Sequence, residues 1–117
     1  MVIELLKNGA RLEEPTSKGR TALHIAAEND KAAVVYLFVA EQEMSPLRRD
    51  RCENSPLHAA CEKGALIAIK YLIALGADVN ARGEDGRTPL HVAVINYDPQ
   101  KDFKRCIKKL LIEGADQ

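Results

Sequence analysis

The chain has 117 residues, 46% of them hydrophobic and 29% charged, and its 17 basic and 17 acidic side chains give a formal net charge of zero. That length suits one domain of ordinary globular composition, and electroneutrality with only 4% aromatic residues and no tryptophan argues against nucleic acid or an anionic membrane as partner, since both reward net positive charge and bases reward aromatic platforms. No signal-peptide pattern and no apolar run of about 18 residues is present, and three cysteines cannot all pair internally, which predicts a reducing compartment, cytoplasmic or nuclear.

In chain order, Met1-Val2-Ile3-Glu4-Leu5-Leu6 reads as the later part of a helix, over 2–8, that closes on Gly9-Ala10. The first full unit opens at Gly19-Arg20-Thr21 and runs into Thr21-Ala22-Leu23-His24. Thr21 is a good N-cap type, and a helix is predicted over 22–29, with a second over 32–41 that carries Val34, Val35, Leu37 and Phe38 at helical spacing. The hairpin that follows should be irregular, because Gln42 stands where a helix-ending glycine is expected and one extra residue precedes Ser55.

The second unit begins at Ser55-Pro56-Leu57-His58, and its first helix is predicted over 56–63. Proline at the first helical position costs nothing, since that amide has no intrahelical partner. A second helix over 66–75, with Ile69, Leu72 and Ile73 inward, ends at Leu75-Gly76-Ala77-Asp78, where glycine is the expected C-cap. The third unit repeats Gly86-Arg87-Thr88-Pro89-Leu90-His91 and predicts helices over 89–96 and 102–113, with Ile107, Leu110 and Leu111 inward. Five extra residues near Tyr97-Asp98-Pro99-Gln100-Lys101 are predicted to form a loop between them. Alanines and Cys61 fill the first helices, so neighbouring backbones approach closely.

The three tetrapeptides, with histidines 34 and 33 residues apart, mark a stacked array whose core lies between neighbours. Turn, Thr-Pro-Leu-His, two helices and Gly-Ala-Asp together resemble the ankyrin repeat over essentially the whole chain. The resemblance implies an all-α repeat solenoid of stacked ankyrin helix-turn-helix units with β-hairpin loops. It forms one domain over 1–117, with a partial repeat at 1–18 and repeats at about 19–52, 53–85 and 86–117. It further implies a non-enzymatic module with no cofactor, which binds another protein through hairpin tips and a concave face of inner helices. Two strings, Leu57-His58-Ala59-Ala60-Cys61-Glu62-Lys63-Gly64 and Leu75-Gly76-Ala77-Asp78-Val79-Asn80-Ala81, look like repeats of the inhibitor-of-κB group, which would imply sequestration of a Rel-type transcription factor. The other alternative is the targeting segment of a larger enzyme or channel.

Each candidate residue has a plain alternative. The histidines could be bases, but no nucleophile with an orienting acid recurs beside them, and the resemblance assigns them to holding helix starts. Zinc is disfavoured because there is no Cys-x-x-Cys and successive histidines would sit about 8–10 Å apart. Ser45-Pro46 is a weak phosphorylation candidate. Mapping the family's recognition surface onto this chain gives a column before the caps, Arg20, Asn54 and Arg87, and basic fingers with Arg48, Arg49, Arg51 and Arg82. On the inner helices it gives Glu28, Asn29, Glu62, Lys63, Ile95 and Asn96, with Tyr97 as an aromatic anchor type. Nearby Glu13, Glu14, Glu53, Glu84 and Asp85 could simply pair with the arginines. Both ends of the array expose apolar residues, so the chain is expected to be cut from a longer array or to touch another copy of itself.

Overall fold

Three helix pairs stack side by side in the computed structural model, which describes residues 19–114. The inner helices are α1 (Ala22–Glu28), α3 (Pro56–Lys63) and α5 (Pro89–Ile95); the outer ones are α2 (Ala32–Tyr36), α4 (Leu66–Ala74) and α6 (Phe103–Ile112). Inner helices pack on inner helices, outer on outer, and each pair on itself. The helix expected over 2–8 lies outside the described residues.

Local chemistry explains each start. Thr21, Ser55 and Thr88 hold extended backbone and cap α1, α3 and α5, and the histidine three residues on bonds back to the cap amide, closing a reciprocal capping box. Small side chains then let the inner helices touch: Ala27, Ala60, Cys61 and Ala93 are fully buried. Bulk comes from Leu23 and Leu57 inside and from Val35, Ile69, Leu72 and Leu110 on the outer helices, all at 0% exposure, each contributing about 1.5–3 kcal/mol by leaving water.

Leu111, expected inward, is 38% exposed and lies at the edge of the α6 stripe, whose buried residues are Phe103, Cys106 and Leu110. That loop is held by an Asx turn, with Gln100 N–H on Asp98 Oδ1 at 2.9 Å. In the first unit the missing glycine has a visible consequence. After Tyr36 the helix widens into a π-turn over Leu37–Glu41, Glu43 takes a left-handed φ of 56°, and Met44 N–H reaches Phe38 O at 2.9 Å. In the second unit Gly76 does this work one residue sooner, with Ala77 N–H on Leu72 O. The fingers are turns closed by backbone bonds, Asp50 N–H to Asn54 O with Glu53 N–H to Asp50 O, and Gly83 N–H to Arg87 O with Gly86 N–H to Gly83 O, and no strand occurs among the described residues.

Candidate functional site

His24 and His58 each join two units. Thr21 N–H points at His24 Nδ1 (3.2 Å), and Ser55 N–H points at His58 Nδ1 (3.1 Å). An amide only donates, so Nδ1 accepts. On the far side His24 Nε2 lies 2.8 Å from Asn54 O and His58 Nε2 lies 2.9 Å from Arg87 O. A carbonyl only accepts, so Nε2 carries the proton and both rings are neutral. Burial pushes the pKa of His24 and His58 below the usual histidine value, opposed in part by the carbonyl bonds. Protonating Nδ1 would set one N–H against another.

Ser55 Oγ at 2.8 Å from His58 Nδ1 has the spacing of a nucleophile and base. Its environment gives it a different role. The hydroxyl also receives His58 N–H, Ser55 is 4% exposed, and the second ring nitrogen meets a peptide carbonyl rather than an orienting carboxylate. The pair caps a helix.

The fingers are fastened to one another. Arg49 Nη1 donates to Glu53 O within its own finger (2.8 Å) and to Arg82 O on the next. Arg82 Nη1 donates to Gly86 O at 3.1 Å. Asn54 Oδ1 accepts Glu84 N–H at 3.1 Å, and the turn packs so closely that a Cβ on Gly83 would fall 2.3 Å from that oxygen. Arg49 and Arg82 thus meet backbone carbonyls rather than the neighbouring glutamates that are the plain alternative to a binding face. Asn54 is half-buried and positions the next finger.

Between finger bases and inner helices runs a cleft of about 210 Å³, lined by Arg20, Asp50, Asn54, Glu62, Glu84, Arg87, Ile95 and Asn96 among others. Arg20 sits at one end, paired with Glu28 at 3.0 Å and 3.9 Å from Asp50. Arg87 and Glu62 are exposed, and Ile95 is 58% exposed. The structure therefore brings together Arg20, Asn54, Arg87, Glu62, Ile95 and Asn96. Arg48, Arg49, Arg51 and Arg82 stand apart on the fingers. Glu28, Asn29 and Lys63 lie at the inner-helix ends around a separate depression with Asp30, Lys101 and Asp102. Tyr97 leaves the cleft to sit 6.3 Å from Phe103. Asn29 and Asn96 also cap their own helices, on Ile25 O and Val92 O.

Two features were not anticipated from sequence. Asp30, in left-handed backbone at φ 55°, accepts Ala68 N–H at 2.8 Å and so caps α4 of the next unit. The same register position in that unit is Gly64, whose missing Cβ leaves room for the Phe103 ring. Cys61 and Cys106 are buried without a disulfide, and desolvation raises both thiols, Cys106 to about 11 with a further push from Asp102 and Asp30. No metal-holding group of three histidine, cysteine or acidic side chains occurs among the described residues, and no helix there is long and apolar enough to cross a membrane.

Family models described as ankyrin repeat match residues 18–51 and 85–117, and one described as ankyrin repeats (many copies) matches residues 39–93. Ankyrin repeat and SOCS box protein 6 of Homo sapiens is 39% identical over 115 residues, covering 95% of this chain and 27% of its own length. Alpha-latrocrustotoxin-Lt1a of Latrodectus tredecimguttatus is 35% identical over 91 residues, 76% of this chain and 6% of the toxin. Ankyrin repeat domain-containing protein 53 of Macaca fascicularis is 38% identical over 92 residues, 74% of this chain and 18% of the relative. The chain thus spans between 6% and 27% of the length of these relatives.

Proposed function

The chain belongs to the ankyrin-repeat family, whose repeats serve generally as protein–protein interaction modules, and on that premise we propose that it is a non-catalytic module that takes a segment of another protein in the cleft between the finger bases and α1, α3 and α5. The observation that carries this is the composition of the cleft. An isoleucine at 58% exposure stands in one cleft with Arg20, which pairs with Glu28, and with Arg87 and Glu62, both exposed. Exposed charge steers encounter and sets register, whereas a buried apolar contact governs residence time. The finger lattice keeps the cleft formed before the partner arrives, which lowers the ordering cost of binding. A mixed polar segment with one apolar side chain fits this surface.

The test begins with a partner recovered by pull-down and proceeds to association kinetics on folded variants. Arg87→Glu should slow association and flatten its dependence on salt, and Ile95→Ala should chiefly speed dissociation. Arg49 and Arg82 make poor probes, because reversing them would also unfasten the fingers. If Arg87→Glu and Ile95→Ala both leave binding intact while Lys108→Glu on the opposite face abolishes it, the cleft is not the docking site.

A further inference from the structure

The outward surface of the second and third units carries charge that the neutral chain as a whole does not. α4 and α6, nine and ten residues long, hold Lys70, Lys104, Arg105, Lys108 and Lys109 and no carboxylate. Lys70, Arg105, Lys108 and Lys109 line a groove between the two helices, with Leu66 on its floor and Ile112 at one end. Lys109 pairs with Glu113 at 2.8 Å beyond the helix end. Lys70, Arg105 and Lys108 have no carboxylate partner among the described residues. The spacings add repulsion, since Lys104 with Lys108 and Arg105 with Lys109 are four apart on one helix face. Ile112 is 68% exposed, so an apolar contact lies open at the end of the cationic walls.

We propose that this outer groove is a second docking surface, distinct from the concave cleft, and that it binds an acidic amphipathic helix of another protein. The carboxylates of that helix meet Lys70, Arg105 and Lys108, and two of its apolar side chains rest on Leu66 and on Ile112. The shape selects this occupant. Two adjacent helices leave a furrow that seats a third helix by its side-chain ridge, with cations on both walls. A bilayer surface is flat and rewards apolar residues that project beyond the charges, and four lining cations are few for a phosphate backbone whose affinity grows with each charge neutralised.

The probe is a fluorescein-labelled synthetic helical peptide with glutamates on one face and leucines on the other, titrated by anisotropy. The wild-type chain should bind it, and binding should weaken from low to physiological salt. Lys70→Glu with Lys108→Glu should raise Kd at least about tenfold, Lys70→Arg with Lys108→Arg should retain binding, and Ile112→Ser should weaken it without changing the salt slope. Arg87→Glu in the concave cleft should leave this probe unaffected, which separates failure of the outer groove from failure of the cleft. Indifference to the double reversal, salt-independent binding by the wild type, or capture of phosphatidylserine vesicles or single-stranded DNA in place of the peptide would each overturn the proposal. The wild-type salt series decides the matter even if a variant fails to fold.

Discussion

His58 and His91 occupy the same register, yet their removal should have unequal cost. The His58 ring is 2% exposed and bonds on both sides, to Ser55 N–H within its unit and to Arg87 O on the next finger. Alanine there leaves a buried amide without its acceptor, at about 2 kcal/mol, and removes a part-buried bond to a carbonyl, at about 1 kcal/mol. The sum is about 3 kcal/mol, a large share of the 5–15 kcal/mol typical of a domain. His91 keeps the capping bond from Thr88 N–H at 3.1 Å, but it is exposed, and its Nε2 has no acceptor among the described residues. Water can replace what His91→Ala removes, so about 1 kcal/mol is expected. Urea unfolding followed by far-ultraviolet circular dichroism measures both, with an unchanged m-value required, since an array can uncouple into separately melting units. Equal losses in the two variants would show that the bond between units contributes nothing, and the account of why the units stack in register would fail.

Two further outcomes follow from the same geometry. Because the pKa values of His24 and His58 are lowered by folding, the unfolded chain takes up these protons first. Stability should be complete above the unperturbed value of about 6.5 and fall as pH drops below it, by at most about 1.4 kcal/mol per pH unit for each histidine, with a shallower fall in His58→Ala. Chemical denaturation between neutral pH and the onset of carboxylate titration reads that slope, and a pH-independent midpoint there would contradict the neutral-ring assignment. Gly64→Ala and Gly86→Ala both place a Cβ on left-handed backbone, φ +67° and +72°, at about 1–2 kcal/mol each. Only at position 64 does the new carbon also fall 2.9 Å from the buried Phe103 ring, so that variant should lose about 1–3 kcal/mol more through overpacking, read as a lower urea midpoint at unchanged m-value.

The helix pairs and their starts were legible because caps, prolines and small residues act locally and recur at one period. Expected spans of 22–29, 56–63 and 89–96 meet observed helices of Ala22–Glu28, Pro56–Lys63 and Pro89–Ile95. What escaped was interaction across units. Arg49 looks like any finger cation until the fold sets it against Arg82 O, and Asp30 looks like a loop residue until α4 begins beside it. Leu111, expected inward, is 38% exposed, because spacing alone does not say how wide the buried stripe of a helix is.

Those cross-unit contacts also bear on how such a chain can recognise anything. A loop tip held only by its own turn would lose conformational freedom on binding and spend part of the contact energy on ordering. Here each described finger is tied to another. Asn54 holds Glu84, His24 holds Asn54 O, His58 holds Arg87 O, and Arg49 crosses to Arg82 O. The cleft walls are therefore set by the same bonds that set the stacking register. His58→Ala, at a buried residue of the cleft wall, should then weaken binding in the cleft by releasing the finger that carries Arg87 and should lower stability with it, while Ile95→Ala weakens binding with stability unchanged.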